Sequence, residues 1–260
     1  MSNSSTRFTV MSAIGSSSRS IRPASRAVNE MTNGAPSNRH AVARLRRVIV
    51  TDAVERHLVE SRTPPDDLLL EMEAHGTRDH VPILPPESGA FLHTLVAATG
   101  ARRVVEVGTA IGYSTLLIAR ALPDDGVVLS FEIDQERHQA ARGYLERAGV
   151  IGRTDLRLQD AGAGLAELEP GSMDLAFIDG LKGDYAAHLE LVLKALRRGG
   201  TVVVDNTLLS GSVAEGRAIG HWTQESVDEM RRFNQRVLTD SGLDAALVPI
   251  GDGMLIAVTR

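Results

Sequence analysis

Apolar positions recur at helical spacing in the first part of the chain: Val48, Val54 and Leu58, then Leu68, Leu69, Leu70 and Met72 behind Pro64-Pro65, and a further run over Glu87–Thr99. Proline just ahead of such a run is a favourable entry, because its fixed φ suits the first helical turn and its missing N–H is not needed there. The pattern predicts an N-terminal helical cap, residues 44–100. From residue 101 to 260 short β-branched runs alternate with helical periods, the pattern of βαβ units. Expected strands are Arg103–Val107, Val127–Ile133, Asp155–Leu158, Met173–Ile178, Thr201–Val204, Ala245–Val248 and Met254–Val258. Expected helices lie near Tyr113–Ala121, Gln135–Ala148, Tyr185–Leu196 and Ser226–Thr239. Only Gly251-Asp252-Gly253 joins the last two strands, which is too short for a crossover, so they should be antiparallel. The expected fold class is α/β, a doubly wound, mostly parallel seven-stranded sheet with the last strand reversed.

Composition adjusts this picture at its ends. Residues 1–43 are rich in Ser, Arg and Asn without an apolar period, and read as a disordered tail rather than as a targeting segment. Residues 1–50 carry a charge of +7 and leave −12 on residues 51–260, out of a total of −5. So acidic a body argues against a phosphate-tracking surface for nucleic acid. With no cysteine, disulfides and thiolate chemistry are excluded. No apolar run approaches the ~20 residues that span a bilayer, so a soluble cytoplasmic protein without membrane partners is expected.

Three constellations carry candidate chemistry. In VVEVGTAIGYS, residues 104–114, a buried strand with Glu106 leads into Gly108 and Gly112 before a helix. Glycines there let the backbone turn sharply and approach a ligand at the carboxyl edge of the sheet. The spacing is not the G-x-G-x-x-G of dinucleotide sites. A carboxylate two residues before the turn repels a pyrophosphate but suits the amine of a methionine-derived cofactor. Glu132 ends the next strand, placed for ribose hydroxyls, while Asp134 serves the following helix as its N-cap.

The third pair is FIDGLKGDY (177–185) and VVVDNT (202–207), two apolar strands that each end in an aspartate, Asp179 and Asp205, with Asn206 next. On neighbouring strands these give three hard oxygen ligands suited to Mg²⁺, which would also relieve the repulsion between the acids. Lys182 is one of two lysines in the chain and, unlike arginine, can lose its proton, so it is the candidate general base. Trp222 fits either a lid over an aromatic substrate or a structural indole.

Together LPPESGAFL, VVEVGTAIGYSTL, FEIDQER, Gln159-Asp160-Ala161, FIDGLKGDY, VVVDN and PIGDGMLIA, in this order, make the chain similar to the cation-dependent O-methyltransferases that include catechol and caffeoyl-CoA O-methyltransferases. The resemblance runs from about Val54 to Arg260. It implies a Rossmann-like, S-adenosylmethionine-dependent fold and a homodimer. It further implies metal ligation by Asp179, Asp205 and Asn206, with Lys182 as base. Cofactor contacts would come from Leu84, Glu106, Gly108, Thr109, Ser114, Glu132, Asp160, Ala161 and Asp179. The acceptor would be a small hydroxylated aromatic with neighbouring oxygens. Two departures, Gly180-Leu181 after the first metal aspartate and Gln159 in place of glycine before Asp160, fall beside the pocket and bear on which acceptor fits. The alternatives are a methyltransferase acting on hydroxyuridine in tRNA, a nicotinamide-dependent dehydrogenase, and a non-catalytic cofactor-binding relative.

Overall fold

The computed structural model describes residues 52–260, so the expected tail, residues 1–43, and the first residues of the cap fall outside the described region. Three helices lead in: α1 (Asp52–Ser61), α2 (Asp67–Arg78) and α3 (Pro86–Thr99). The Asp66 carboxylate caps α2 by accepting from the Leu69 N–H at 2.9 Å. Helix α3 starts on Pro86 and stops at Gly100, whose φ of +64° ends the helix in the left-handed region.

The strands are β1 (Arg103–Val107), β2 (Val127–Glu132), β3 (Thr154–Leu158), β4 (Met173–Ile178), β5 (Leu196–Val204), β6 (Leu243–Val248) and β7 (Met254–Thr259). They form one sheet in the order β3-β2-β1-β4-β5-β7-β6. The first five are parallel, and β7 runs antiparallel to both β5 and β6, as the short final connection requires. The helices between them are α4 (Tyr113–Ala121), α5 (Gln135–Arg147), α6 (Ala161–Ala166), α7 (Tyr185–Ala195), α8 (Ser212–Glu215) and α9 (Gln224–Thr239).

Side-chain alternation along the strands feeds two cores. Val105, Val107, Phe131, Ile178 and Val204 pack with Leu165 of α6, Leu189 of α7 and Phe233 of α9. Val104, Val128, Phe177 and Val203 pack on the other face with Leu92 of α3, Ile118 of α4 and Leu145 of α5. Cover on both faces explains why the central strands β1, β2, β4 and β5 read as apolar runs rather than as an alternation. Among the described residues no helix is long and apolar enough to cross a membrane.

Three differences from the sequence reading have local causes. Strand β5 begins at Leu196 rather than Thr201: Leu196 pairs with Met173, the register then shifts, and Gly199 takes up the irregularity with φ +73°. Helix α9 starts two residues early because the Thr223 side chain caps it, accepting from the Ser226 N–H at 3.1 Å. Helix α6, not among the expected elements, is capped by Asp160 and contains Gly162 and Gly164.

Gly164 is where this short helix touches the sheet, since a Cβ there would overlap the ring of Phe131. Gly164→Ala should therefore lower stability by about 1–3 kcal/mol through overpacking, a loss larger than the ~1 kcal/mol that alanine gains in helix propensity. Gly143, in α5, has open space around its missing Cβ, and Gly143→Ala should raise stability by up to ~1 kcal/mol. Urea denaturation of both variants checks the pair, and midpoints that move in the same direction would contradict this account of the packing.

Candidate active site

Each parallel strand hands the chain to its neighbour at the same edge of the sheet. Past the last paired residues, the Gly108 N–H donates to the Phe131 carbonyl at 3.1 Å, Asp179 to Val107 at 2.9 Å, Asp205 to Ile178 at 3.1 Å and Gln159 to Glu132 at 2.9 Å. The ladder thus fixes where the polar residues after each strand stand. A cavity of about 380 Å³ runs along this edge, lined in sheet order by Asp160 and Ala161 after β3, Glu132 of β2, Gly108 and Thr109 after β1, Asp179 after β4, and Asp205 and Asn206 after β5. Leu84, from the segment before α3, and Ser114 of α4 line it as well.

Gly108 has φ +95°, and a Cβ there would overlap the carbonyl oxygen of Asp179, so this glycine is needed for both its conformation and its lack of volume. Thr109 is held against Ser130, hydroxyl to hydroxyl. Glu132 accepts from the Ala110 N–H at 2.7 Å and from Ile133 and Asp134 at 2.9 Å each, so its carboxylate is oriented by the backbone before any ligand arrives. Asp134 caps α5, accepting from Arg137 N–H at 3.0 Å, and Asp160 does the same for α6 through the Ala163 N–H at 2.8 Å. Glu106 stands apart from the other candidates. It is fully buried, does not line the cavity, and accepts from the hydroxyls of Thr115 and Ser130. Burial pushes its carboxyl up, against the lowering effect of the hydroxyls of Ser114, Ser130 and Thr115.

At the far end Ile178 pairs with Val204, and the next residue on each strand is an aspartate. Asp205 is 1% exposed, and its Oδ1 is buried without a hydrogen-bond partner. Desolvation, then the nearby Asp179 charge, push Asp205 up to about 7. Burial also raises Asp179, whose side chain still opens partly onto the cavity, while Lys182 pulls it down. Lys182 Nζ donates to Asp179 Oδ1 at 3.3 Å and to the Gly180 carbonyl at 3.2 Å. Asn206 sits at φ +56°, a strained setting that asparagine tolerates better than most residues. The chain holds it there through the β6–β7 turn, where the carbonyls of Gly253 and Asp252 accept from the N–H groups of Thr207 and Leu208 at 2.9 and 3.0 Å. Among the described residues no group of three or more His, Cys, Asp or Glu is arranged to hold a metal; this set has two carboxylates and an amide.

Several residues in or around the cavity escaped the sequence reading. Tyr113 lines the wall and donates to Glu73 Oε1 at 2.8 Å, and Arg62 grips the same carboxylate with bonds of 3.0 and 3.1 Å, which ties the helical cap to the site. Tyr185, buried beneath the acids, donates to the Asp205 carbonyl at 3.2 Å. His188 of α7 also reaches the cavity. Trp222 does not line it; its ring packs on the core beside α9 and its indole N–H donates to Ser210 Oγ at 3.3 Å.

The O-methyltransferase family model matches residues 66–260. Tricin synthase 2 of Oryza sativa subsp. japonica is 33% identical over 182 residues, which is 66% of this chain, and the match spans 61% of that relative's length. A flavonoid 3',5'-methyltransferase of Vitis vinifera is 28% identical over 81% of this chain and 95% of its own. Among solved structures, the O-methyltransferase from Bacillus cereus in complex with SAH is 29% identical, covers 80% of this chain and 97% of its own, and superposes with a TM-score of 0.70. The family-model match, residues 66–260, takes in every strand of the sheet and every residue of the edge cavity, and on that match this chain belongs to the O-methyltransferase family.

Proposed function

We propose that this chain transfers a methyl group from S-adenosylmethionine to a hydroxyl of a small aromatic acceptor with vicinal oxygens, with a divalent cation held by Asp179, Asp205 and Asn206. The observation that carries this reading is the buried, unpartnered Oδ1 of Asp205 beside a second strand-end aspartate. Two acids so placed, with one lone pair set left unused, fit a hard cation better than they fit each other. The rest of the cavity fits the cofactor: an oriented carboxylate at Glu132 and a glycine without room for a side chain at 108. Relatives that methylate flavonoids or bind SAH support the same assignment. A homodimer belongs to this reading through the family resemblance.

When bound, the cofactor supplies an electrophilic methyl and the cation supplies Lewis acidity that favours an ionised acceptor oxygen. The chain's own part is positional and protic. Lys182, anchored on Asp179 Oδ1 and the Gly180 carbonyl, is placed to take or steer the acceptor's proton. Glu132 orients the ribose hydroxyls, and Gly108 lets the donor lie against the sheet edge. Leu181 and Ile133, 67% and 66% exposed at the rim, offer apolar surface to ring systems. Holding donor and acceptor in line contributes much of the acceleration.

Lys182→Ala should reduce kcat by roughly 10²–10⁴-fold while S-adenosylhomocysteine affinity, read by calorimetry, stays within about threefold of the parent. Excess EDTA should abolish turnover of a catechol acceptor, and magnesium should restore it; full turnover in EDTA would remove the cation from the reading.

The acids predict a pH dependence of stability for the ion-free protein. Asp205 binds its proton more tightly folded than unfolded, so between about 4 and 7 the folded state holds more protons and stability falls as pH rises, levelling off above about 7. Asp205→Asn removes this contribution. The gap between variant and parent should widen over that window to a few kcal/mol, and magnesium at pH 7.5 should raise the melting temperature of the parent only. Parallel melting curves across pH would contradict the assignment of the buried charge.

A further inference from the structure

His188 is 6% exposed and lines the cavity, and its side chain makes no hydrogen bond among the described residues. Its Nδ1 is sealed among protein atoms with no partner, whereas Nε2 faces the first turn of α6, where a Cβ on Gly162 would stand 3.8 Å away. Burial pushes the imidazole below its usual range, against the raising effect of Asp184 and Asp160, so the ring is neutral near pH 7. A neutral imidazole carries one proton. Placing it on Nδ1 would bury an N–H with no acceptor, the rarer and costlier defect, while placing it on Nε2 leaves only a bare ring nitrogen inside. The ring therefore presents Nε2–H toward the cavity, with nothing in the protein to accept it.

The position of this donor identifies what it meets. Along the edge the order is Asp160, Glu132, Gly108, Asp179, Asp205. With Glu132 at the ribose and the acids of β4 and β5 at the reacting end, the segment after β3 is left for the nucleobase, and His188 leans over that segment from α7. Purine ring nitrogens without hydrogens are acceptors. We propose that His188 is a cofactor-specificity residue, donating Nε2–H to an unprotonated ring nitrogen of the adenine. This rests on the cavity's being the S-adenosylmethionine site.

The test is a chemical cycle by calorimetry with S-adenosylhomocysteine and its 1-deaza, 3-deaza and 7-deaza analogues, each lacking one ring acceptor, on the parent and on His188→Phe. One analogue should bind the parent roughly three- to tenfold more weakly than S-adenosylhomocysteine, the scale of one neutral hydrogen bond, and should show no such loss with His188→Phe. A general loosening of the pocket would weaken all four ligands by a common factor and leave their ratios unchanged, so unchanged ratios overturn the inference. If the phenylalanine variant does not fold, His188→Ala carries the same cycle. An analogue penalty that is identical in parent and variant, or absent from the parent while S-adenosylhomocysteine binds, refutes the role of His188 and leaves the cofactor reading standing. Failure of S-adenosylhomocysteine itself to bind the parent overturns both.

Discussion

Two carboxylates held side by side by strand register are the constraint around which this structure is arranged. Because β4 and β5 pair in parallel with Ile178 opposite Val204, the residues that follow are committed to neighbouring positions roughly 4.8 Å apart in the strand-pairing direction. Neither acid can swing away cheaply: Asp205 is enclosed, and the backbone on both sides of the pair is tied into the sheet. Burial raises both acids above the usual carboxylate range, and the charge of Asp179 pushes Asp205 further up while Lys182 pulls Asp179 down. A cation that bridged them would offset both terms at once, which is why the proposed function places one there rather than relying on Lys182 alone.

Much of the surrounding structure serves to keep that edge in place. Asn206 is held at positive φ by bonds from the following residues to the β6–β7 turn, so the reversed final hairpin acts as a brace for the loop after β5. Tyr185 supports the Asp205 backbone from below. On the other side, Arg62, Glu73 and Tyr113 link the helical cap to the cavity wall through partly buried, charge-assisted bonds, more effective than exposed pairs of the same kind. The cap therefore contributes wall as well as cover, including Leu84, buried at the cavity's edge.

The central strands β1, β2, β4 and β5 were legible because they are covered on both faces and so stand out as apolar runs, each closed by a glycine or an acid. Their ends were read less well where polar residues continue a strand, as at Arg197-Arg198 before the bulge in β5. Asp179, Asp205, Asn206, Lys182 and Glu132 could be picked out because chemistry at a sheet edge must follow a strand directly, and strand ends are visible in sequence. Tyr113 and His188 lie inside helices, where a polar residue on a buried face looks like any other amphipathic position until the helix is docked. Glu106 shows the converse: its place in the glycine-rich motif suggested the cavity, yet side-chain alternation along β1 turns it inward, beneath Thr109 and Ser130.

That inward acid bears on how the site tolerates charge. Glu106 is pushed up by burial, and Asp179 raises it further from the neighbouring strand. Three carboxyl groups from β1, β4 and β5 are thus coupled electrostatically, though only two reach the cavity. Each acid keeps one buried oxygen without a partner, Glu106 Oε1 and Asp205 Oδ1, but Glu106 Oε2 accepts from the hydroxyls of Thr115 and Ser130 away from the cavity. The difference divides their roles by access rather than by residue type: Glu106, closed off from the cavity, can remain a fixed part of the glycine turn, whereas Asp205 lines the cavity and is available to an external ligand. By this criterion Asp205, more than any other acid in the sheet, is the group whose stability depends on what enters the cavity.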